Sequence, residues 1–249
     1  MLGRPGEEIS FKGNGSSIII VNEGLQKSTI NHVNFSGLSE PTSRLRRYTG
    51  AINGYGGEFG IKAVSINNSL AEDQLNLVHA KITIDGLSID GARSDGFDCD
   101  FCTGEILSAV FKNIGGDGLD VSGSEISVDQ ISFSNVDDKA ISVGENSDVT
   151  VMFADVARSG TRIAVKDASR ATVKSLQVSA ITHDAVMTYV KIPFYLGVTT
   201  VQVQKFTRKD EVGDNVCISQ TGTHAQVFAS NCVTTDLDVD SLYAGRMKK

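Results

Sequence analysis

Apolar residues recur along the chain in short alternating stretches that return at a nearly constant interval. Each stretch has apolar residues at its second and, except in the last copy, its fourth position. The copies begin 22, 22, 22, 22 and 23 residues apart and are Gln74–Leu77, Gly96–Cys99, Gly118–Val121, Ala140–Val143, Arg162–Val165 and Ala185–Thr188. Successive side chains of a strand point to opposite faces, so this alternation predicts strands with one face in a core.

The repeat length and the absence of a helical period together predict the fold. A repeat of roughly 20 to 50 residues is typical of a solenoid, in which each coil packs on its neighbours. A second repeated pair of apolar residues precedes the strand, as in Phe111 with Ile114 and Phe133 with Val136. The Leu-x-x-Leu-x-Leu spacing of leucine-rich repeats is missing. We therefore predict an all-β fold, a single-stranded right-handed parallel β-helix of about eight coils of roughly 22 residues.

We expect residues 1–249 to form a single β-helix domain. Interruptions of the 22-residue repeat predict two insertions, and the second contains Pro193, which is unfavourable in a central strand. The predicted parts are an irregular lead-in at 1–15, coils at 16–235 with insertions near 39–49 and 191–197, and a C-terminal cap and tail at 236–249.

Composition narrows the possible partners and locations. The net charge is −7, and without a basic stripe to neutralise phosphates we expect no nucleic acid partner. No apolar run approaches the roughly 20 residues of a membrane span, so no membrane insertion is expected. The first residues lack the apolar core of a signal peptide, and a strand pattern at residues 16–21 leaves little chain to cap the first coil. We therefore expect a domain of a longer exported chain in preference to a cytoplasmic protein.

The four cysteines do not decide the redox compartment. Cys99 falls at an inward strand position, where we expect a free thiol that packs as a small apolar group. Cys217 and Cys232 could pair across neighbouring coils, but the sequence does not show whether they do. The Cys99-x-x-Cys102 pair straddles the end of a strand, which is a poor pattern for zinc.

Five segments carry a more specific signal: Ala71–Val78, Ser94–Phe101, Gly116–Ser124, Asp138–Ser147 and Val165–Ser169. They resemble the right-handed parallel β-helix repeat domains of large bacterial surface and secreted proteins, some of which also carry a CotH-type kinase domain. The resemblance covers residues 16–245 and implies an extracellular or cell-surface location. The wider superfamily of pectate-lyase-like solenoids acts largely on polysaccharides, which favours a polysaccharide partner by analogy of fold. The Asn-Thr-Asp and Gly-His-Gly motifs of polygalacturonases are absent.

Stacking of coils about 4.8 Å apart should place equivalent residues in columns. The front column, the outward third position of each stretch, contains Asn53, Asn76, Asp98, Asp120, Ser142, Ala164 and Met187. The second column, two residues further on, contains Tyr55, Val78, Asp100, Ser122, Gly144, Lys166 and Tyr189. The corner column, just before each stretch, contains Asp73, Asp95, Asp117, Lys139, Thr161 and Asp184. Acidic groups thus collect on three successive coils, and Lys139 and Lys166 lie on the next two.

Three explanations of these acidic groups stay open. Asp73, Asp95 and Asp117 of the corner column would accept backbone N–H bonds in Asx-turns and fix each corner. Alternatively, Asp98, Asp100 and Asp120 would supply carboxylate oxygens to Ca²⁺. Finally, crowded carboxylates raise one another's pKa, which would give an acid and a base for glycoside cleavage. A calcium ion with Lys139 or Lys166 would instead suit proton abstraction from a uronic acid unit.

These considerations define the predicted site. The catalytic candidates are Asp98, Asp120, Lys139 and Lys166, the substrate-binding candidates are Asn76, Ser142, Arg44 and Arg47, and the metal ligands are Asp98, Asp100 and Asp120. The leading hypothesis is a carbohydrate-directed module of a surface or secreted protein that binds an acidic polysaccharide at the Asp-rich face, with cleavage as its catalytic form. The alternative is a non-catalytic structural or adhesive solenoid within a larger surface protein. A cytoplasmic assembly scaffold is a third hypothesis, and the sequence does not define the oligomeric state.

Overall fold

The computed structural model describes residues 1–41, 47–180, 185–209, 215–220, 224–227, 232–236 and 238. For the strands beyond residue 209 only the backbone is described. No described segment is a helix long and apolar enough to cross a membrane.

The described residues form strands β1 to β19 and no helix. Their bounds are Ile9–Lys12 (β1), Ile18–Val21 (β2), Lys27–Ser36 (β3), Gly50–Tyr55 (β4), Glu58–Asn67 (β5), Asp73–Val78 (β6), Lys81–Ala92 (β7), Asp95–Asp100 (β8), Thr103–Ile114 (β9), Leu119–Ser122 (β10), Glu125–Gly144 (β11), Asp148–Lys166 (β12), Arg170–Ser179 (β13), Val186–Tyr189 (β14), Thr200–Val203 (β15), Phe206–Arg208 (β16), Asn215–Gln220 (β17), His224–Val227 (β18) and Cys232–Asp236 (β19).

From β4 to β9 short and long strands alternate, and each pairs with strands of its own kind in neighbouring coils. Near the two ends, β1, β15 and β16 are short but pair with the long strands β3 and β13. The short strand β6 lies in parallel between β4 and β8, and the long strand β7 lies in parallel between β5 and β9. In β11 and β12 the long and short parts of a coil are joined in one continuous strand. We call the sheet of short strands the front sheet and the sheet of long strands the back sheet. The predicted all-β parallel solenoid is confirmed.

The core runs along the inside of the coils as stacked apolar columns. Leu75, Phe97 and Leu119 occupy equivalent positions on adjacent front strands and are at most 1 % exposed. On the back sheet the rings of Phe111 and Phe133 stack with centroids 5.0 Å apart. Gly118 admits this aromatic column, because a Cβ atom there would approach the Phe133 ring to 2.5 Å. Burial of apolar surface in such columns supplies the main stabilisation of the solenoid.

The prediction of a free buried thiol at Cys99 is wrong. Cys99 and Cys102 form a disulfide, and both residues are fully buried. The chain turns after Asp100, and this brings the two inward sulfur atoms together although only two residues separate them. Strands β17 and β19, which carry Cys217 and Cys232, are neighbours. Their side chains lie outside the described residues, so that pairing stays a prediction.

The chain differs from the predicted boundaries at its start. The segment 1–15, expected to be irregular, contains β1, which pairs in parallel with β3. Ile9 and Phe11 of β1 continue inward columns of the core, so this segment belongs to the first coil. The predicted insertion at 191–197 has no strand. Part of the insertion near 39–49 and most of the cap at 236–249 lie outside the described residues.

Candidate functional site

The registers of the front strands reproduce the front column. Asp98 lies opposite Asn76 on one side and Asp120 on the other, and Asp120 lies opposite Ser142. Asp100 is two residues beyond Asp98 on β8, on the same outward face. Carboxylates directly opposite one another on neighbouring strands are destabilising unless they are compensated. The acidic cluster therefore needs a physical account.

Protonation accounts for part of that cluster. Burial raises the pKa of Asp98 to about 9, with a further contribution from neighbouring carboxylates, first that of Asp100. Burial also raises the pKa of Asp73 to about 7, although hydrogen bonds from Thr49 and Asn76 oppose this shift. The pKa of Asp100 is raised by burial and by the charge of Glu145. Asp98 therefore carries a proton at neutral pH, which removes one negative charge from the column.

The corner aspartates join successive coils. The Asp95 carboxylate accepts the backbone N–H of Asp117 at 2.7 Å, and the Asp117 carboxylate accepts the backbone N–H of Lys139 at 3.0 Å. The predicted role as backbone acceptors holds for these two residues. The bonds run between coils, however, and not within local Asx-turns as expected, because equivalent corners stack directly on one another.

Lys139 is held in a buried ion-pair cluster. Its Nζ lies 3.1 Å from Asp117 Oδ1 and 2.6 Å from Asp138 Oδ2, and its side chain is 4 % exposed. The pKa of Asp117 is nevertheless raised to about 7, because burial outweighs the attraction of the ammonium. A lysine fixed by two carboxylates is poorly placed to abstract a proton, since both carboxylates stabilise its charged form.

Lys166 has a different environment. Its side chain is 6 % exposed, and its Nζ donates a hydrogen bond to Ser142 Oγ at 2.8 Å. The nearest carboxylate oxygen, Asp120 Oδ1, lies 3.8 Å away, beyond hydrogen-bonding distance. That oxygen is buried and accepts no hydrogen bond from the part of the chain that the structure describes. A buried ammonium with unused donors thus faces a buried acceptor with unused capacity.

Lys166 and Asp120 line an open groove of about 730 Å³ beside the front sheet. The groove combines charged side chains of both signs at the corners of the central coils. These charged side chains are Arg93, Asp95, Asp117, Asp120, Asp137, Asp138, Lys139, Lys166 and Lys191. The arrangement offers donors and acceptors along one surface, which is suited to a polar, extended ligand.

The structure brings together only part of the predicted site. Asp120, Lys139 and Lys166 line the groove, whereas Asp98 and Asp100 lie one coil away from Asp120 on the front sheet. Of the predicted substrate-binding residues, Asn76, Ser142 and Arg47 are also outside the groove lining. Asn76 is buried and bonds to Thr49 and Asp73. Ser142 is buried and accepts the hydrogen bond from Lys166. Arg47 is exposed in an ion pair with Glu72, and Arg44 lies outside the described residues.

Sequence reasoning did not single out Arg93, Asp137 and Lys191. Arg93 and Asp137 lie two residues before corner-column positions, 44 residues apart at twice the repeat interval. A further column, two residues before the corner column, would have included both Arg93 and Asp137. Lys191 belongs to the insertion after β14 and follows no repeat phase. Its backbone N–H is held by the Asp167 carboxylate at 2.6 Å.

The described side chains do not form a ready-made metal site. Within the described ranges, no three His, Cys, Asp or Glu side chains are grouped so that they could hold a metal ion. Asp98, Asp100 and Asp120 have the right chemistry for Ca²⁺ but would have to turn towards one another. Calcium binding at these residues therefore stays a prediction.

Comparison with known proteins places these features in a class. The fold and the charged groove define a parallel β-solenoid with a polar surface site. The model of the family described as "Right handed beta helix region" matches residues 62–234, which is more than half of the chain. The chain belongs to this right-handed β-helix family, which confirms the family resemblance and the predicted hand. No link to CotH-type domains emerges.

Two further comparisons add less. No curated protein matches the sequence. Among solved structures, the catalytic domain of a GH87 alpha-1,3-glucanase variant in complex with tetrasaccharides is similar, with 10 % sequence identity and a TM-score of 0.49. The match covers 93 % of this chain and 62 % of that chain, so the present chain corresponds to less than two thirds of the glucanase domain.

Proposed function

We propose that the protein binds an acidic polysaccharide along the groove beside the front sheet, with Lys166 and Asp120 as its anchoring pair. The observation that carries this proposal is the unsatisfied polar capacity of these two groups. Lys166 Nζ makes one hydrogen bond and Asp120 Oδ1 accepts none among the described residues, although both side chains are largely buried. Buried polar groups left in this state gain most from a ligand that completes their hydrogen bonds.

A sugar chain with carboxylates fits this pair. A sugar hydroxyl can donate to the Asp120 carboxylate, whose side chain is 23 % exposed, and a sugar carboxylate can accept from the Lys166 ammonium with a charge-assisted bond. The groove is open along the surface, so a polymer can lie in it without threading. The resemblance to polysaccharide-directed solenoids supports the same ligand class by analogy.

Cleavage of the bound chain is the catalytic form of this proposal. Asp98, protonated at neutral pH, and Asp120, on the neighbouring strand, form the kind of carboxyl pair used in glycoside cleavage. Asp98 would donate its proton to the leaving oxygen, and Asp120 would act as the base or the nucleophile. The step requires a sugar unit to reach from the groove to the coil of Asp98.

Binding is tested by calorimetric titration with polygalacturonate and alginate, with dextran as an uncharged control. We expect binding to the acidic polymers alone and a loss of about tenfold or more in Lys166→Met and in Asp120→Asn. Lys62→Met, which changes an exposed lysine on the back sheet, serves as the matched control and should leave binding unchanged. Equal binding by Lys166→Met and the control would contradict the proposal.

Cleavage is tested separately on any polymer that binds. Release of reducing ends, or the ultraviolet absorbance of an unsaturated uronate, reports hydrolysis or elimination. We expect Asp98→Asn, which leaves the anchoring pair intact, to remove either signal while binding and the circular dichroism spectrum stay unchanged. Binding without products would keep the binding role and reject the catalytic one.

A structural or adhesive role is the second candidate, and a specific observation favours it. The backbone bonds from Asp95 and Asp117 and the Lys139 ion pairs use much of the acidic corner to join coils. In a purely structural protein the groove is the space left between stacked corners. The calorimetric titration distinguishes the structural role from polysaccharide binding, because a purely structural corner has no preference for acidic polymers over dextran.

We also propose that the protein works outside the cytoplasm, in line with the surface location implied by the resemblance. The Cys99–Cys102 disulfide supports this, because disulfides persist in oxidising compartments. Thiol titration in denaturant, on protein purified without reductant, should find Cys99 and Cys102 unreactive. Labelling of both residues in the denatured protein would count against this location.

A further inference from the structure

A column of turn residues follows the front strands, and two of its members carry stacked rings. One residue beyond the paired positions of β6, β8, β10 and β11 the chain has His79, Phe101, Gly123 and Glu145, at intervals of 22. We call these four residues the turn column. The rings of His79 and Phe101 are nearly parallel, with centroids 4.8 Å apart. Because coils repeat at this same spacing, the turn column presents ring faces along the axis of the solenoid.

Neither burial nor backbone preference explains an aromatic residue at position 101. Phe101 has a φ of 54°, in the left-handed region that disfavours bulky side chains. The residue is 51 % exposed, although the His79 ring covers one face of its side chain. The Cys99–Cys102 disulfide closes the turn on both sides of Phe101. An exposed aromatic ring held in a costly conformation is typical of a binding residue.

Beyond Phe101 the turn column has a position without a side chain. A Cβ atom at Gly123 would approach the Phe101 ring to 2.6 Å, so the ring leans over a position that suits only glycine. The next side chain of the column is that of Glu145, two coils from Phe101, or about 9.6 Å at the usual spacing of coils. We call the space between Phe101 and Glu145, above Gly123, the ring slot. Since the stacked rings of His79 and Phe101 take up one coil spacing, the ring slot has the height of one further ring.

Polar groups border the ring slot. Glu145 is half-buried, and the Tyr195 hydroxyl lies 3.5 Å from its Oε2 atom. Burial and then the charge of Glu145 raise the pKa of Asp100, so these two carboxyl groups interact across the same space. They can accept hydrogen bonds from sugar hydroxyls, but they would repel a carboxylate on the ligand. A pyranose without a charge fits this combination, because it has C–H groups on its faces and hydroxyls at its edge.

We propose that the ring slot binds an uncharged pyranose unit of the polysaccharide whose acidic unit is held by Lys166. This inference rests on the proposed function, because it concerns a second unit of the same bound chain. The two places adjoin, since a Cβ atom at Gly144, the residue before Glu145, would lie 2.6 Å from Lys166 Cε. Asp120 lies three residues before Gly123, or about 10 Å along an extended chain. The ligand class is therefore a mixed polymer of acidic and neutral sugars.

The ring slot is tested by calorimetric titration with hyaluronan, in which glucuronate alternates with uncharged N-acetylglucosamine. We expect the wild type to bind hyaluronan more tightly than polygalacturonate. Phe101→Ala should weaken hyaluronan binding about tenfold or more, and polygalacturonate binding less, because only hyaluronan places a neutral ring on Phe101. Glu145→Gln should strengthen polygalacturonate binding, since it removes the repulsion of a uronate. Met152→Ala, at a residue of the back sheet that is 48 % exposed, is the control.

Fluorescence tests the stacking directly. The chain contains no tryptophan, so Phe101→Trp introduces a single fluorophore at the ring slot. We expect this variant to bind hyaluronan with nearly the affinity of the wild type and to change its emission on binding. Met152→Trp should show no change.

The outcomes separate the ring slot from the anchoring pair. If neither polymer binds, both are rejected. If polygalacturonate binding requires Lys166, but hyaluronan binds no more tightly and is unaffected by Phe101→Ala, the ring slot is overturned and the anchoring pair is kept. If hyaluronan binding is lost in Phe101→Ala and unchanged in Lys166→Met, the ring slot is kept and the anchoring pair is rejected.

Discussion

The front column contains carboxylates in the middle of the solenoid and apolar side chains nearer its C-terminal end. Asp98 and Asp120 are partly exposed, whereas Ala164 and Met187, at equivalent positions of later coils, are 0 % and 5 % exposed. The backbone ladder is the same in both halves, so the fold accepts either kind of residue. Burial raises the pKa of Asp98 and makes its ionised form costly. Packing therefore does not explain why the central coils carry Asp98 and Asp120 in the front column. We call these coils the acidic half of the column and the coils of Ala164 and Met187 the apolar half.

The largest effect should follow from extending the acidic half into the apolar one. Met187→Asp removes buried apolar surface and introduces a carboxyl group into a site that is 5 % exposed. We expect a loss of about 3 to 5 kcal/mol in the free energy of unfolding, measured by urea denaturation. Met187→Leu, which keeps the volume, should cost less than about 1.5 kcal/mol. Similar values for both substitutions would mean that the two halves do not differ in burial.

The two groove lysines should separate structural from functional roles. Lys139→Met leaves the carboxylates of Asp117 and Asp138 without their shared ammonium, and we expect a loss of about 3 kcal/mol or more. Lys166→Met removes one hydrogen bond, to Ser142, and the longer ion pair with Asp120 at 3.8 Å, and should cost about 1 to 2 kcal/mol. Urea denaturation of both variants at pH 7 measures the difference. Equal losses would place Lys166 in the same structural class as Lys139.

Sequence periodicity was sufficient for the fold because one repeated pattern determines it. The alternation of Leu75, Phe97 and Leu119 with outward residues fixes the strand faces, and a constant interval fixes the register between coils. The columns of outward residues followed from the same arithmetic. The irregular features did not, since the disulfide of Cys99 depends on how the chain turns after a strand.

The candidate site was only partly predictable for a related reason. Position in a column shows which residues are neighbours but not which of them are already paired. Lys139 and Lys166 looked alike in the sequence, yet only the structure shows that Asp138 closes an ion pair with one of them. Burial, which raises the pKa of Asp98, depends on the depth of the side chain and not on its order in the chain.

Calcium should stabilise the protein if the carboxylates of the acidic half bind the ion. At about 100 times its dissociation constant, a bound ion would stabilise the protein by about 2.7 kcal/mol. We expect millimolar CaCl₂ to raise the midpoint of thermal unfolding by a few degrees relative to EDTA. The effect should strengthen with pH, because Asp98 must lose its proton to bind the ion. No shift at pH 9, or the same shift in Asp98→Asn, would remove Asp98 from the ligand set.

The pH dependence of stability should report the proton on Asp98. Its folded pKa of about 9 lies above the ordinary value of 3.8, so the folded state binds more protons than the unfolded state between these values. Stability should therefore fall as pH rises from about 4 to about 9. Asp98→Asn removes this dependence, so it should differ little from the wild type at pH 4, and its stability relative to the wild type should rise by about 1.4 kcal/mol for each pH unit from there to pH 8.

Urea denaturation at both pH values measures that change, and Asp148→Asn, at an exposed carboxylate of the back sheet, provides the control with no comparable pH dependence. A gain in stability on removing a carboxyl group identifies a residue that the fold retains at a cost. Such a cost is typical of functional residues, because an optimised structural position would have been filled by a residue that packs without it. If Asp98→Asn is instead less stable at pH 8, the carboxyl group contributes a contact to the folded state, and the acidic half of the column becomes as structural as the apolar half.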